Sequence, residues 1–139
     1  TGNSSYDEVK KAKFPSNVHV VPYIENMTRI MKKTDLIVSR AGASTLSEII
    51  ALKIPSILIP SPYVTENHQV KNALDLINKN AAIMIEEKDL KGDILVRTID
   101  NVIDNDEKIN EFRKNLEELG VKNSATKIYE ELRELVDRK

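Results

Sequence analysis

A doubly wound α/β fold, with a parallel sheet covered by helices on both faces and a helical tail at the carboxyl end, is predicted by three observations. Short apolar runs alternate with stretches of helical periodicity as far as Ile85. The apolar runs, such as Leu36-Ile37-Val38 and Ile57-Leu58-Ile59, are near-continuous. Strands buried on both faces read this way, whereas half-exposed strands alternate polar with apolar. After Lys88 the strand-like runs stop and three helical stretches follow. Repeated strand–helix alternation makes a parallel sheet, because each crossover helix must pack back on it.

The elements follow in order. Residues 5–13 read as a helix, with Ser4 or Ser5 as its cap. Residues 18–21 read as a strand closed by Pro22, with His19 in its core or at its edge. Residues 26–33 form a short helix that turns Ile24, Met27, Ile30 and Met31 inward. A strand over 35–39 leads through a glycine turn to a helix over 44–52. Pro55 and Pro60 bound a strand over 55–59, and a loop over 61–67 follows. The helix over 68–79 carries Val70, Ala73, Leu74 and Ile77 on one face, and residues 82–85 form the last strand. Helices are expected over 89–103, 106–119 and 124–136, with Gly120 as the C-cap of the second. The opening Thr1-Gly2 resembles the loop that follows a strand in α/β folds, so the chain is expected to start just after a strand that lies outside it.

Composition narrows the function. At 139 residues the chain is about one domain long, and 40% apolar residues supply a core. Lysine and arginine number 21 against 22 acids, a net charge of -1, which gives no argument for nucleic-acid binding. There is no cysteine, so disulfides and thiolate chemistry are excluded. No apolar run approaches the length of a membrane-spanning helix. No group of residues has metal-ligand spacing, and no cofactor is expected.

The candidate site is the turn Ser39-Arg40-Ala41-Gly42-Ala43-Ser44-Thr45 and the helix it opens. Small residues there let a ligand approach the backbone. A helix start offers free N–H groups and the positive end of the helix dipole, which together hold phosphate. Glu48 lies one turn on, on the face of Ser44 and Thr45, where a carboxylate accepts hydrogen bonds from a sugar diol. A phosphate cradle beside a diol acceptor points to a nucleotide or nucleotide sugar. Arg40 either binds phosphate or pairs with an acid to hold the turn.

Four stretches in order resemble one family. They are Val21-Pro22-Tyr23-Ile24-Glu25-Asn26-Met27, Asp35 through Glu48 with its Ser39-Arg40-Ala41-Gly42 turn, Pro55-Ser56-Ile57-Leu58-Ile59-Pro60, and His68-Gln69-Val70-Lys71-Asn72-Ala73. Together they resemble the C-terminal domain of the MurG family of cell-wall N-acetylglucosaminyltransferases. That resemblance implies one Rossmann-like, donor-nucleotide-sugar-binding domain over residues 1–139, with 88–139 as its helical part, in the GT-B arrangement of two such domains. It implies UDP-N-acetylglucosamine as donor. The acceptor, lipid I, would be held by an N-terminal domain that this chain lacks, and the product would be lipid II. By the same resemblance the Ile24 backbone would read the uracil edge, with Tyr23 and Met27 shaping that pocket. Backbone N–H groups from Gly42, Ala43, Ser44 and Thr45 would hold the diphosphate, helped by the Thr45 hydroxyl. Glu48 would take the ribose hydroxyls, His68 and Gln69 the N-acetylglucosamine hydroxyls, and Asn72 would brace the helix start or reach the phosphate side. The general base is expected in the absent domain, and so is the contact with the anionic, cytoplasmic face of the bacterial membrane. Some relatives carry glutamine where His68 stands, and the family's upstream glycine-rich donor loop lies outside this chain.

Two other classes share these features. One is another GT-B transferase of UDP-sugars, such as a diacylglycerol galactosyltransferase or the donor-binding chain of a two-subunit enzyme. The other is a nucleotide-sugar-binding domain without turnover. The apolar stripe of the last helix, with Ile128, Leu132 and Leu135, is expected to pack on the N-terminal domain and to be exposed without it.

Overall fold

The computed structural model describes residues 2–64, 67–120 and 124–137. The chain divides into two compact units, Thr1–Lys33 and Thr34–Lys139.

In the first unit, helix α1 spans Asn3–Val9. Its N-cap is Gly2, at φ 76°, a backbone region that L side chains rarely adopt. Ser4 and Ser5 therefore lie inside the helix and do not cap it. The Gly2 N–H donates to the Pro22 carbonyl at 3.1 Å, which ties the helix start to the segment that ends at Pro22. The helix stops at Val9, short of the expected Lys13. Continuing it would carry Lys10, Lys11 and Lys13 and then meet Pro15, and the residue before a proline avoids helical geometry. Residues 18–21 join no ladder, and His19 is exposed. A strand is a property of a pair, and no described residue of this unit offers a second strand. Helix α2, Met27–Met31, is capped by the Asn26 side chain, which accepts from the Arg29 N–H at 3.0 Å. It is only five residues long, about 1.4 turns, so one face cannot take every apolar residue. Met31 is buried, whereas Met27 and Ile30 are 44% and 51% exposed, against the expectation that all face inward.

The second unit holds the sheet. Strands β1 (Ile37–Ser39), β2 (Ser56–Leu58) and β3 (Ile83–Met84) run parallel in the order β1-β2-β3. Helices α3 (Ala43–Leu52) and α4 (His68–Ile77) make the two crossovers. The register pairs Ser39 with Leu58 and Leu58 with Met84, so the carboxyl ends of all three strands share one edge. The strands are shorter than the apolar runs, although ladder bonds continue past them. Ile59 N–H reaches the Ser39 carbonyl at 2.8 Å and Ile85 N–H reaches that of Leu58 at 2.9 Å.

Strand alternation sorts the core into two faces. Ile57, Ile59 and Ile85 form one cluster, against which Leu95 and Ile99 of α5 (Ile94–Ile103) pack. Leu58 points to the other side. The remaining buried side chains include Leu46 and Ile49 of α3, Ala73 and Leu76 of α4, and Phe112 and Leu116 of α6 (Asp106–Leu119). Within α4 Ala73 and Leu76 are buried, while Leu74, expected on the inward face, is exposed. Each fully buried leucine or isoleucine contributes roughly 1.5–3 kcal/mol. Helix α3 ends with Lys53 in the left-handed region, φ 54°, and the Lys53 ammonium pairs with Glu117 of α6 at 2.7 Å. Helix α6 begins with the Asn105 side chain accepting from Lys108 N–H at 3.0 Å and places Asp106 and Glu107 in its first turn, where the dipole favours acids. Gly120 is its C-cap, but at φ -67° it does not use the left-handed freedom of glycine. Helix α7, Ser124–Asp137, buries no residue, and Ile128, Leu132 and Leu135 are all exposed.

Among the described residues, two buried hydroxyls lack a partner, those of Ser39 and Ser56. An unmet buried hydroxyl costs about 1–3 kcal/mol. Ser56 is fully buried at the start of β2, away from the carboxyl edge. Ser56→Ala is expected to raise stability by about 1 kcal/mol in denaturant unfolding; a loss of stability would show that the hydroxyl has a partner.

Candidate functional site

Ligands of open parallel sheets bind beyond the carboxyl ends of the strands, because loops and helix starts gather there. In this chain the loops after Ser39, Leu58 and Met84 lie at that edge, and α3 begins there.

The start of α3 is open. Gly42 is its N-cap and brings no side-chain cap. The first N–H with a helical acceptor is that of Leu46, which donates to the Gly42 carbonyl at 3.0 Å. The N–H groups of Ala43, Ser44 and Thr45 have no partner among the described residues. They form a three-donor cluster at the positive end of a ten-residue helix. Gly42 has an ordinary φ of -70°, and a Cβ built on it comes no nearer than 4.0 Å to any protein atom, the Thr45 hydroxyl oxygen. Neither backbone strain nor packing within the protein therefore demands glycine at this position. Glu48, one turn further on, is exposed and makes no ion pair or hydrogen bond with a described residue.

The turn is held from three directions. Arg40 donates to the carbonyls of Ile59 (3.2 Å) and Pro60 (3.4 Å) and pairs with Glu87, so its guanidinium joins the ends of β1 and β2 to the short 3-10 turn Glu87–Asp89. Of its two expected roles, the arginine takes the structural one. Next to it, Lys88 pairs with Glu86 at 2.8 Å, and that hydrogen bond, followed by the carboxylate's charge, raises the lysine pKa. From α4, Gln69 accepts from the Ala41 N–H (3.2 Å) and the Ser61 N–H (2.9 Å), and Asn72 donates to the Ala41 carbonyl (3.3 Å). His68 is exposed at the first position of α4.

The structure thus gathers Gly42, Ala43, Ser44, Thr45, Gln69 and Asn72 around one turn, with Glu48 on the helix that leaves it. Tyr23, Ile24 and Met27 belong to the first unit. There, with Gly2, Val21 and Pro22, they line a surface depression of about 310 Å³, and Tyr23 is 76% exposed. Two members of the edge, Ser61 and Glu87, carry no signal in the sequence, since their partners lie 8 and 47 residues away. Among the described residues, no group of three or more His, Cys, Asp or Glu side chains is placed to hold a metal ion. Among the described residues, no helix is long and apolar enough to cross a membrane.

Comparison with known proteins places the chain. The family described as the glycosyltransferase family 28 C-terminal domain matches residues 1–132. The chain is similar to UDP-N-acetylglucosamine--N-acetylmuramyl-(pentapeptide) pyrophosphoryl-undecaprenol N-acetylglucosamine transferase 1 of Bacillus cereus. The two are 44% identical over 142 aligned positions, which cover 99% of this chain and 39% of the relative. The corresponding transferase of Bacillus cytotoxicus is 42% identical over the same shares. The chain therefore spans about two fifths of the length of these relatives. Among solved structures, the crystal structure of Acinetobacter baumannii MurG superimposes with a TM-score of 0.81 over 96% of this chain and 41% of that one. Its 22% sequence identity makes this evidence for the fold, the Rossmann-like half of a GT-B architecture. A match over nearly the whole chain, joined to a parallel sheet with an open helix start at its carboxyl edge, means that the chain belongs to the glycosyltransferase family 28 C-terminal domain family.

Proposed function

We propose that residues 1–139 form the donor-binding domain of an inverting cell-wall N-acetylglucosaminyltransferase, and that the domain binds UDP-N-acetylglucosamine. The observation that carries this reading is the cluster of open N–H groups on Ala43, Ser44 and Thr45, one turn from the unpaired Glu48 carboxylate. The relatives' printed name, an N-acetylglucosamine transferase acting on an undecaprenol-linked acceptor, supplies the donor and the acceptor class.

In this reading the diphosphate sits on the start of α3. Glu48 accepts hydrogen bonds from the ribose hydroxyls. Tyr23, Ile24 and Met27 serve the uracil, with the Ile24 backbone reading its edge. His68 and Gln69 meet the sugar. The reaction in the whole protein is attack of the muramyl C4 hydroxyl of lipid I on the anomeric carbon, which yields lipid II and releases UDP. Negative charge grows on the leaving diphosphate as that bond breaks. Backbone N–H groups fixed in advance stabilise this charge without reorganising, and the helix dipole acts in the same sense. The base that takes the acceptor proton belongs to the N-terminal domain, together with the lipid acceptor and the peripheral contact with the cytoplasmic face of the membrane.

Two substitutions test this assignment by titration with UDP. Glu48→Gln removes a charged acceptor from an exposed position, so affinity is expected to fall about tenfold with the melting temperature unchanged. Gly42→Ala adds a methyl group that the protein has room for, so the fold is expected to persist while UDP affinity drops by about tenfold or more, because the methyl group occupies the ligand's approach. Wild-type affinity in both variants would remove UDP from the start of α3.

A further inference from the structure

Gln69 bonds to two loops at once. Its Oε1 accepts from Ala41 N–H in the loop leaving β1 and from Ser61 N–H in the loop leaving β2. A primary amide has one oxygen with two lone pairs and one nitrogen with two donors. Both lone pairs of this oxygen are taken. The reversed amide would set its NH2 against two N–H donors, so the local hydrogen bonds fix which way the side chain is turned. Three residues along α4, on the same helical face, Asn72 donates to the carbonyl of Ala41. Between them, the two side chains hold both polar groups of a fully buried residue that directly precedes Gly42.

We infer that Gln69 is a positioning residue of fixed polarity. Its carbonyl oxygen couples the phosphate turn to the loop after β2, and only its N–H donors are left for the donor sugar. The sugar atom it reads is therefore a lone-pair acceptor, a hydroxyl oxygen or the acetamido carbonyl, and never a donated proton. This inference rests on the UDP-sugar reading of the site and adds to it the direction of one hydrogen bond and a mechanical link between the phosphate turn and the sugar-side helix.

The test separates the two ends of the amide. Gln69→Glu keeps an oxygen for each backbone N–H and deletes the donors, whereas Gln69→Ala deletes both. Three quantities are measured in the full-length chain: the melting temperature, the hydrogen-exchange protection of Ala41 and Ser61 N–H, and the ratio of the UDP Kd to the UDP-N-acetylglucosamine Kd. Both titrations are run at high salt, because UDP carries about one more negative charge than its sugar ester and the new carboxylate would otherwise repel it more; the ratio then reports the sugar. Gln69→Glu is expected to hold the melting temperature and the protection at or above wild type while the ratio falls about tenfold. Gln69→Ala is expected to lose both the protection and the ratio. A wild-type ratio in Gln69→Glu would overturn the fixed polarity, and loss of protection in that variant would overturn the link. If the unsubstituted chain fails to bind UDP in the same titration, the site reading falls and this inference falls with it.

Discussion

The peptide groups of Ala41 connect the parts of the edge that would otherwise be independent. Ala41 is fully buried, so its N–H and its carbonyl must each find a partner or cost about 1–3 kcal/mol. Neither the ladder nor α3 supplies one: β1 ends at Ser39, and α3 takes its first carbonyl from Gly42. Both partners come from α4, through Gln69 and Asn72. The consequence is geometric. The direction in which α3 leaves the sheet, and with it the aim of its three open N–H groups, is set by a helix that enters the sheet one crossover later. Arg40 adds a second constraint from the other side by joining the same turn to the end of β2 and to the 3-10 turn at Glu87.

Such over-determination suits a site whose chemistry is electrostatic. Backbone dipoles stabilise growing charge only if they are already oriented, since turning them during the reaction would consume the energy they supply. Here the orienting groups are buried or half-buried backbone contacts, and the groups left open are Ala43, Ser44, Thr45 and Glu48. The division is clean: side chains of α4 and Arg40 hold the turn, and the start of α3 faces outward. Gly42 sits at the border between the two. Its φ is ordinary and a side chain there would meet almost nothing, so the fold alone gives no reason for glycine.

How much of this was legible in the sequence depended on whether a feature is local. The run Ile57-Leu58-Ile59 marked a buried strand, because burial on both faces writes itself into consecutive residues, whereas Leu36-Ile37-Val38 has the same composition but β1 leaves Val38 39% exposed. The glycine turn, the open start of α3 and the exposed Glu48 were legible because a helix start is built from a handful of neighbouring residues. The run Val18-His19-Val20-Val21 has the composition of a strand but no described neighbour in its unit to complete a ladder, and pairing cannot be read from one segment. Met27 and Ile30 have helical spacing, but α2 is too short to bury both. The Arg40–Glu87 pair spans 47 residues, and nothing near either residue announces the other. The bond from Gln69 to Ser61 is likewise invisible, because it depends on where the loop after β2 returns.

The central claim is that the open N–H groups at the start of α3 hold a diphosphate. It is tested most directly by following the backbone amides of the 15N-labelled protein while UDP is added. The account predicts that the Ala43, Ser44 and Thr45 amide resonances move downfield together, with one saturation curve, as each N–H gains a charged acceptor. Saturable binding of UDP that leaves these three resonances in place would contradict it.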